Sequence, residues 1–297
     1  MCLTANLTLE EKGKTAMGLL DDLKGKVDGA MMKKIAIITM FIDHMTLSFL
    51  EVARNADGKR IMYTFPMGET LDSVGRGIGR LAFPVFCFLI VEGFFYTRNR
   101  WKYLMRLLIF AAVSQVPFCL LVFPQSKKPH ADTIFTLAAG YVLIWCIDTL
   151  RRYIVGEGKL LPGFWMGKAE AGSTAGEKDP KMSPERILRI IVFTAVSAGL
   201  TYAVCRLAKW RGMDYSYGGV ICILILYLLY NYREIALAMA WTWLSCYNHN
   251  ELLALTGFAL IWCYNGERGK QNKYFFYIFY PGHLLLLYLI RKAIWGI

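Results

Sequence analysis

The sequence predicts an all-α protein, a polytopic transmembrane helix bundle of about nine spans, within bounds of roughly 8 to 11. Three observations predict it. Of the 297 residues, 56% are hydrophobic and 14% aromatic, and the mean hydropathy is positive, a balance beyond that of a soluble core. The apolar residues gather in runs about as long as a bilayer is thick. The Lys and Arg residues behind the net charge of +12 sit in the connections between those runs, as membrane topology arranges them. A nucleic-acid-binding face would cluster them instead, so nucleic acid is set aside as a partner and the lipid bilayer is taken as one.

Taken in order, residues 1–34 read as a polar cytoplasmic arm carrying Lys12, Lys14, Lys24, Lys26, Lys33 and Lys34. They lack the continuous apolar centre of a cleavable signal peptide. Residues 35–297 form the membrane domain. Its first span, 35–52, holds Asp43 and His44 at its centre; neighbours on a helix point about 100° apart, so each needs a partner on another span. Residues 53–75 read as a loop, rich in Gly towards its end. The Gly75-Arg76-Gly77-Ile78-Gly79 stretch has neither the preceding strand nor the spacing of a dinucleotide-binding loop.

The second span, 78–96, carries Glu92 deep in an apolar run, and an ionisable group there is a functional candidate. Arg76 and Arg80, four apart, share a face if the helix starts that early; as plain structural residues they would be interfacial anchors. Arg98, Arg100, Lys102 and Arg106 follow in a turn that the charge bias places in the cytoplasm. The third span, 103–123, contains Pro117, which frees a backbone carbonyl. The fourth runs over 132–150. Gly and Pro make 153–185 a flexible cytoplasmic loop. Spans five and six cover 187–207 and 217–230, with Asp214 placed to cap the latter. Two apolar runs within 235–264 are each too short to cross and read as a tight hairpin or a re-entrant pair. The last span, 274–290, holds Tyr280, Pro281 and His283. The excess of Lys and Arg on the inner connections puts the N-terminus in the cytoplasm and the protein in the cell membrane.

The eight cysteines include no CxxC pair, and all but Cys2 fall in apolar segments. They read as free thiols, so no metal site is expected. HExxH, GxSxG and P-loop motifs are missing from the sequence. What remains is His44, His283, Asp43, Glu92, Arg76 and Arg80 at membrane depth. That set suits general acid–base transfer of a group between a cytosolic donor and an acceptor at the membrane. By spacing alone it suits a proton-coupled transporter or flippase nearly as well, although the two halves hold no internal repeat. A pure scaffold leaves the cost of these buried charges unexplained.

Longer motifs weigh against the transporter. Lys34-Ile35-Ala36-Ile37-Ile38-Thr39-Met40-Phe41-Ile42-Asp43-His44, then Gly79-Arg80-Leu81-Ala82-Phe83-Pro84-Val85-Phe86 with Glu92-Gly93-Phe94 and Thr97-Arg98-Asn99, resembles the TraX family of membrane proteins. Tyr264-Asn265-Gly266-Glu267-Arg268-Gly269 and Lys273-Tyr274-Phe275-Phe276-Tyr277 leading to Tyr280-Pro281-Gly282-His283-Leu284 are similar to its C-terminal signature. The stretch from Asp214-Tyr215 to Gly219 also fits. The resemblance covers about residues 33 to 292, outside the arm and the 153–185 loop.

The family is named for a conjugation protein that acetylates pilin and resembles the wider group of transmembrane acyltransferases. The resemblance implies an acyl-CoA-dependent N- or O-acetyltransferase, with acetyl-CoA as donor and a protein, peptide or glycan as acceptor; it does not imply pilin. On that implication Arg98, Arg100 and Lys102 meet the donor's phosphates. His44 is the base, with Asp43 or Glu92, whichever reaches it, holding the imidazole tautomer. Arg80, together with Arg76, stabilises the oxyanion or binds the donor. His283 is a rival base or a second proton carrier.

Overall fold

A computed structural model describes residues 24–124, 130–155, 184–270 and 273–296. The first part of the expected arm (1–23) and most of the expected loop (156–183) lie outside the described residues. Helix α1 spans Gly29–Thr46. It starts where Asp28 accepts the Met31 amide at 2.7 Å, a short polar side chain satisfying one of the orphan N–H groups of a helix start. The end of the expected arm therefore belongs to the first helix. Just before it, the amides of Gly25 and Val27 donate to the Cys263 carbonyl, and that of Asn265 donates to the Val27 carbonyl. Beyond Thr46, α1 continues as a π-helical turn, Leu47–Val52.

The expected loop 53–75 is corrected: its last part, 68–75, belongs to helix α2, Gly68–Gly79. The glycines that suggested a loop are a packing seam. A Cβ on Gly75 would meet the Thr46 side chain, and one on Gly79 would meet Asp43, so only glycine lets α2 lie this close to α1. The chain turns at Arg80 and Leu81 and continues as α3, Ala82–Tyr96, with Pro84 in the first turn, where no helical donor is lost.

Helix α4 is Arg100–Val122, capped by Asn99 and containing Pro117. Helix α5 is Thr133–Leu150, capped by Asp132 and extended by the π-helical turn Arg151–Val155. Helix α6 is Pro184–Trp210 and α7 is Ser216–Leu228. The 235–264 region is a hairpin of short helices: α8, Arg233–Tyr247, a 3-10 turn His249–Ala254, and α9, Leu255–Trp262. Helix α10, Lys273–Trp295, closes the chain and contains Pro281. Among the described residues extended pairing amounts to isolated bridges such as Val27 with Tyr264.

The segments Gly29–Val52, Gly68–Tyr96, Arg100–Val122, Thr133–Val155 and Pro184–Trp210 are each long and apolar enough to cross a membrane, and Ser216–Leu228 is a shorter apolar helix. The protein is an all-α, multi-pass bundle. Helix α3 lies at its centre, with Val85, Cys87, Val91 and Phe94 fully buried. Helix α6 lies at its edge: Ala208 alone is buried, while Leu188, Ile191, Val196 and Tyr202 face outward, as lipid contact permits. Buried arginines cap helix C-termini. Arg233 donates to the carbonyls of Ile261, Trp262 and Tyr264. Arg291 donates to those of Leu120 and Leu121 at 2.7 and 2.6 Å, covering oxygens that no helical amide reaches.

Candidate active site

Lys33, Ile37, Met40 and His44 recur at steps of four, three and four, which puts them in one stripe along α1. This stripe walls a cavity of about 340 Å³ inside the bundle. Phe83 and Phe86 of α3, Tyr103 and Phe110 of α4, Thr133 of α5, and Tyr280 of α10 form other parts of its wall. Asp43 and His44 both open on it, with Asp214 and Tyr215 from the α6–α7 connection.

His44 Nδ1 lies 2.8 Å from His283 Nε2 on α10. The ring planes differ by 15° with centroids 5.1 Å apart, the side-by-side arrangement that an in-plane N–H···N bond requires. The other nitrogen of His283, Nδ1, lies 2.8 Å from the Phe279 carbonyl. A carbonyl only accepts, so that nitrogen carries a proton and, in the neutral pair, His283 Nε2 is an acceptor. His44 must then donate through Nδ1, which leaves its Nε2 with a lone pair. His283 itself is buried behind the cavity wall, against the rings of Phe41 and Phe279.

Residues 28–160 and 185–291 match the family TraX, described as "TraX protein". The chain belongs to the TraX family. A curated relative of this TraX protein, "Probable fimbrial assembly protein FimC, serogroup H1" from Dichelobacter nodosus, is 29% identical over 276 residues, covering 86% of this chain and 92% of the relative. No solved structure matches the chain.

In this TraX protein neither carboxylate expected to hold the imidazole does so. Asp43 turns to α2 instead, where Arg76 Nη1 sits 2.7 Å from one carboxylate oxygen, while the other is buried without a hydrogen-bond partner. The same guanidinium reaches Glu51 at 2.9 Å. Glu92 is occupied by the hydroxyls of Tyr230, at 2.8 Å, and Tyr264, at 3.5 Å. It lines a second cavity of about 540 Å³, not the one that His44 lines, and its hydrogen bonds go to the tyrosines instead of the imidazole.

The paired arginines also separate. Arg76 is committed to carboxylates. Arg80, at the turn after α2, donates to Glu251 at 2.7 Å and to the Tyr215 hydroxyl at 3.2 Å. It does not line either cavity; the residue that does is Tyr215. Tyr215 and Ser216 hold left-handed backbone, φ 57° and 41°, strain that non-glycine residues keep only where neighbours over-determine it. Those neighbours are visible: Thr133 Oγ1 donates to the Asp214 carboxylate at 2.6 Å, the Thr136 hydroxyl donates to the Asp214 carbonyl, and the Tyr215 ring lies flat on Phe83, centroids 3.5 Å apart. Burial pushes the Asp214 carboxyl up from its ordinary value.

Of the three cations expected at the donor, Arg98 alone lines a cavity, the second one. Arg100 instead bonds Asp148 on α5 at 2.6 Å and covers the Phe94 ring. Asp148 is buried and also held by Arg152, so this is an inter-helix tie. Lys102 is exposed and lines neither cavity. Sequence reasoning missed Tyr215, Lys33, Arg106 and Arg268 as cavity residues. The eleven-residue step from Lys33 to His44, three helical turns, was the signal available for Lys33. Among the described residues no group of three or more His, Cys, Asp or Glu is placed to hold a metal.

Proposed function

We propose that this TraX protein is a membrane acyltransferase that moves an acetyl or other acyl group from acyl-CoA to an amine or hydroxyl of a protein, peptide or glycan acceptor. The observation that carries this reading is the His44–His283 pair, which presents an unprotonated Nε2 to a cavity inside the bundle. That nitrogen takes the acceptor's proton as its nitrogen or oxygen bonds to the thioester carbon. The carbonyl electrons move onto oxygen, then return as the C–S bond breaks, and the leaving thiolate takes the proton back from His44. His283 steadies the imidazolium by accepting at Nδ1–H, the position a carboxylate fills in other dyads.

The oxyanion falls to Tyr215. Its hydroxyl oxygen accepts from Arg80, so its own proton is left for the cavity and is polarised by the guanidinium behind it. Arg80 thus acts as a positioning residue. Basic residues crowd the Lys33 end of the chain's first helix, which supports a cytoplasmic N-terminus, a cell-membrane location and acyl-CoA entry at that end. The relative's name speaks of fimbrial assembly, which favours a protein subunit as acceptor.

The experiment is thiol release from acetyl-CoA by purified protein in detergent, with acetyl-CoA binding measured in parallel. The reading requires that the unaltered chain bind and release thiol, and that His44→Ala bind without turnover. Absence of acyl-CoA binding in both sinks it.

A further inference from the structure

The second cavity is where the remaining charge converges. It opens at the Lys33 end of α1 and takes one cation from each of several separate stretches: Lys33 from α1, Arg98 from the α3–α4 turn, Arg106 from α4 and Arg268 from the α9–α10 connection. Among the described residues Arg98, Arg106 and Arg268 have no carboxylate in ion-pair contact, unlike Arg76, Arg80 and Arg100, which all do. Like charges gathered at one opening repel, and a bound polyanion removes that cost. Tyr96 and Tyr103 add aromatic faces, and the volume of about 540 Å³ is that of a cofactor pocket.

The two cavities share Lys33, Leu89, Tyr103, Arg106 and Arg268, so they lie side by side on the same residues. From the shared Lys33 to His44 is eleven residues, or about 16 Å along the helix axis. The wall between them is apolar, with Ile37, Met40 and Leu89. An extended pantetheine arm spans such a length, leaving its phosphates among the arginines while its thioester reaches the histidine.

We propose that the second cavity is a nucleotide subsite, which binds the phosphoadenosine end of coenzyme A with Arg98, Arg106, Arg268 and Lys33 on the phosphates and Tyr96 and Tyr103 on the base. This rests on the acyltransferase reading and adds to it a site on different residues. Buried Glu92 lines the same cavity with its oxygens already taken by the Tyr230 and Tyr264 hydroxyls, so it offers phosphate no donor and leaves the arginines to hold it. A phospholipid headgroup carries phosphate too, but without a base to stack or an arm to thread.

The test uses the full chain in detergent and 3′,5′-ADP, the nucleotide end of the donor without its arm. It should bind, and should inhibit thiol release from acetyl-CoA competitively. An Arg106→Gln/Arg268→Gln variant, whose unfolding temperature reports that it is folded, should raise the KM for acetyl-CoA at least tenfold with kcat within a factor of two. If acetyl-CoA is turned over but 3′,5′-ADP neither binds nor competes, the subsite is wrong and the acyltransferase reading survives. If phosphatidylglycerol displaces acetyl-CoA and 3′,5′-ADP does not, the cavity is a headgroup site and the proposal falls. If acetyl-CoA is neither bound nor turned over, both fall together.

Discussion

His44 and His283, 239 residues apart, share a 2.8 Å nitrogen–nitrogen contact in which His283 takes its orientation from the Phe279 carbonyl one turn earlier on its own helix. The direction of that relay decides which histidine does chemistry. The first prediction follows from it: His44→Ala lowers kcat for thiol release by about 10³-fold, and His283→Ala by about 10², in the range of lost proton transfer and of lost orientation of the base. Acetyl-CoA binding stays within a factor of two in both. A His283→Ala chain that is dead while His44→Ala stays active would reverse the assignment.

Tyr215→Phe removes the hydroxyl that accepts from Arg80, on a residue that lines the cavity. We expect kcat to fall by about 10²-fold with KM little changed, the pattern of an interaction made only in the transition state. Arg80→Met should give a similar loss by releasing Tyr215, and the double variant should be no worse than the more damaging single one. Additive losses in the double variant would mean that the two act separately.

Arg76→Met strands the part-buried Asp43 carboxylate, one oxygen of which is already buried and unpartnered. Leaving a part-buried charge without its partner costs about 2 kcal/mol. A lowered unfolding midpoint in detergent checks this. The further change Asp43→Asn in the same chain should recover part of the loss, because the stranded charge is gone.

Gly79→Ala puts a methyl group into Asp43, whereas Gly199→Ala on α6 meets nothing within 4 Å. The first forces α2 away from α1 and costs about 1–3 kcal/mol. The second is neutral or slightly stabilising, since alanine favours helix over glycine by up to about 1 kcal/mol. Comparing their unfolding midpoints separates a packing seam from a general intolerance of side chains.

Arg100→Gln breaks the tie from α4 to Asp148 on α5. Stability should fall, while the KM for acetyl-CoA stays within a factor of two because Arg100 lines neither cavity. A tenfold rise in KM would restore Arg100 to the donor site.

The apolar runs, with polar caps such as Asp28, Asn99 and Asp132 at their starts, determine an all-helical membrane bundle, because a helix in lipid satisfies its own backbone and its length is read locally. The same local logic shows that Asp43, His44 and Glu92 need company, since no neighbour in their own helix can supply it. Which company they find is a matter of packing. Asp43 meets Arg76 only because Gly75 and Gly79 bring α2 against α1, and the same glycines read as a loop when nothing says what they pack on. Arg98 and Arg100, two residues apart, part ways because one side chain faces a cavity and the other a buried aspartate. Partner choice across hundreds of residues depends on the approach of whole helices, a property of the tertiary structure that no window of sequence contains.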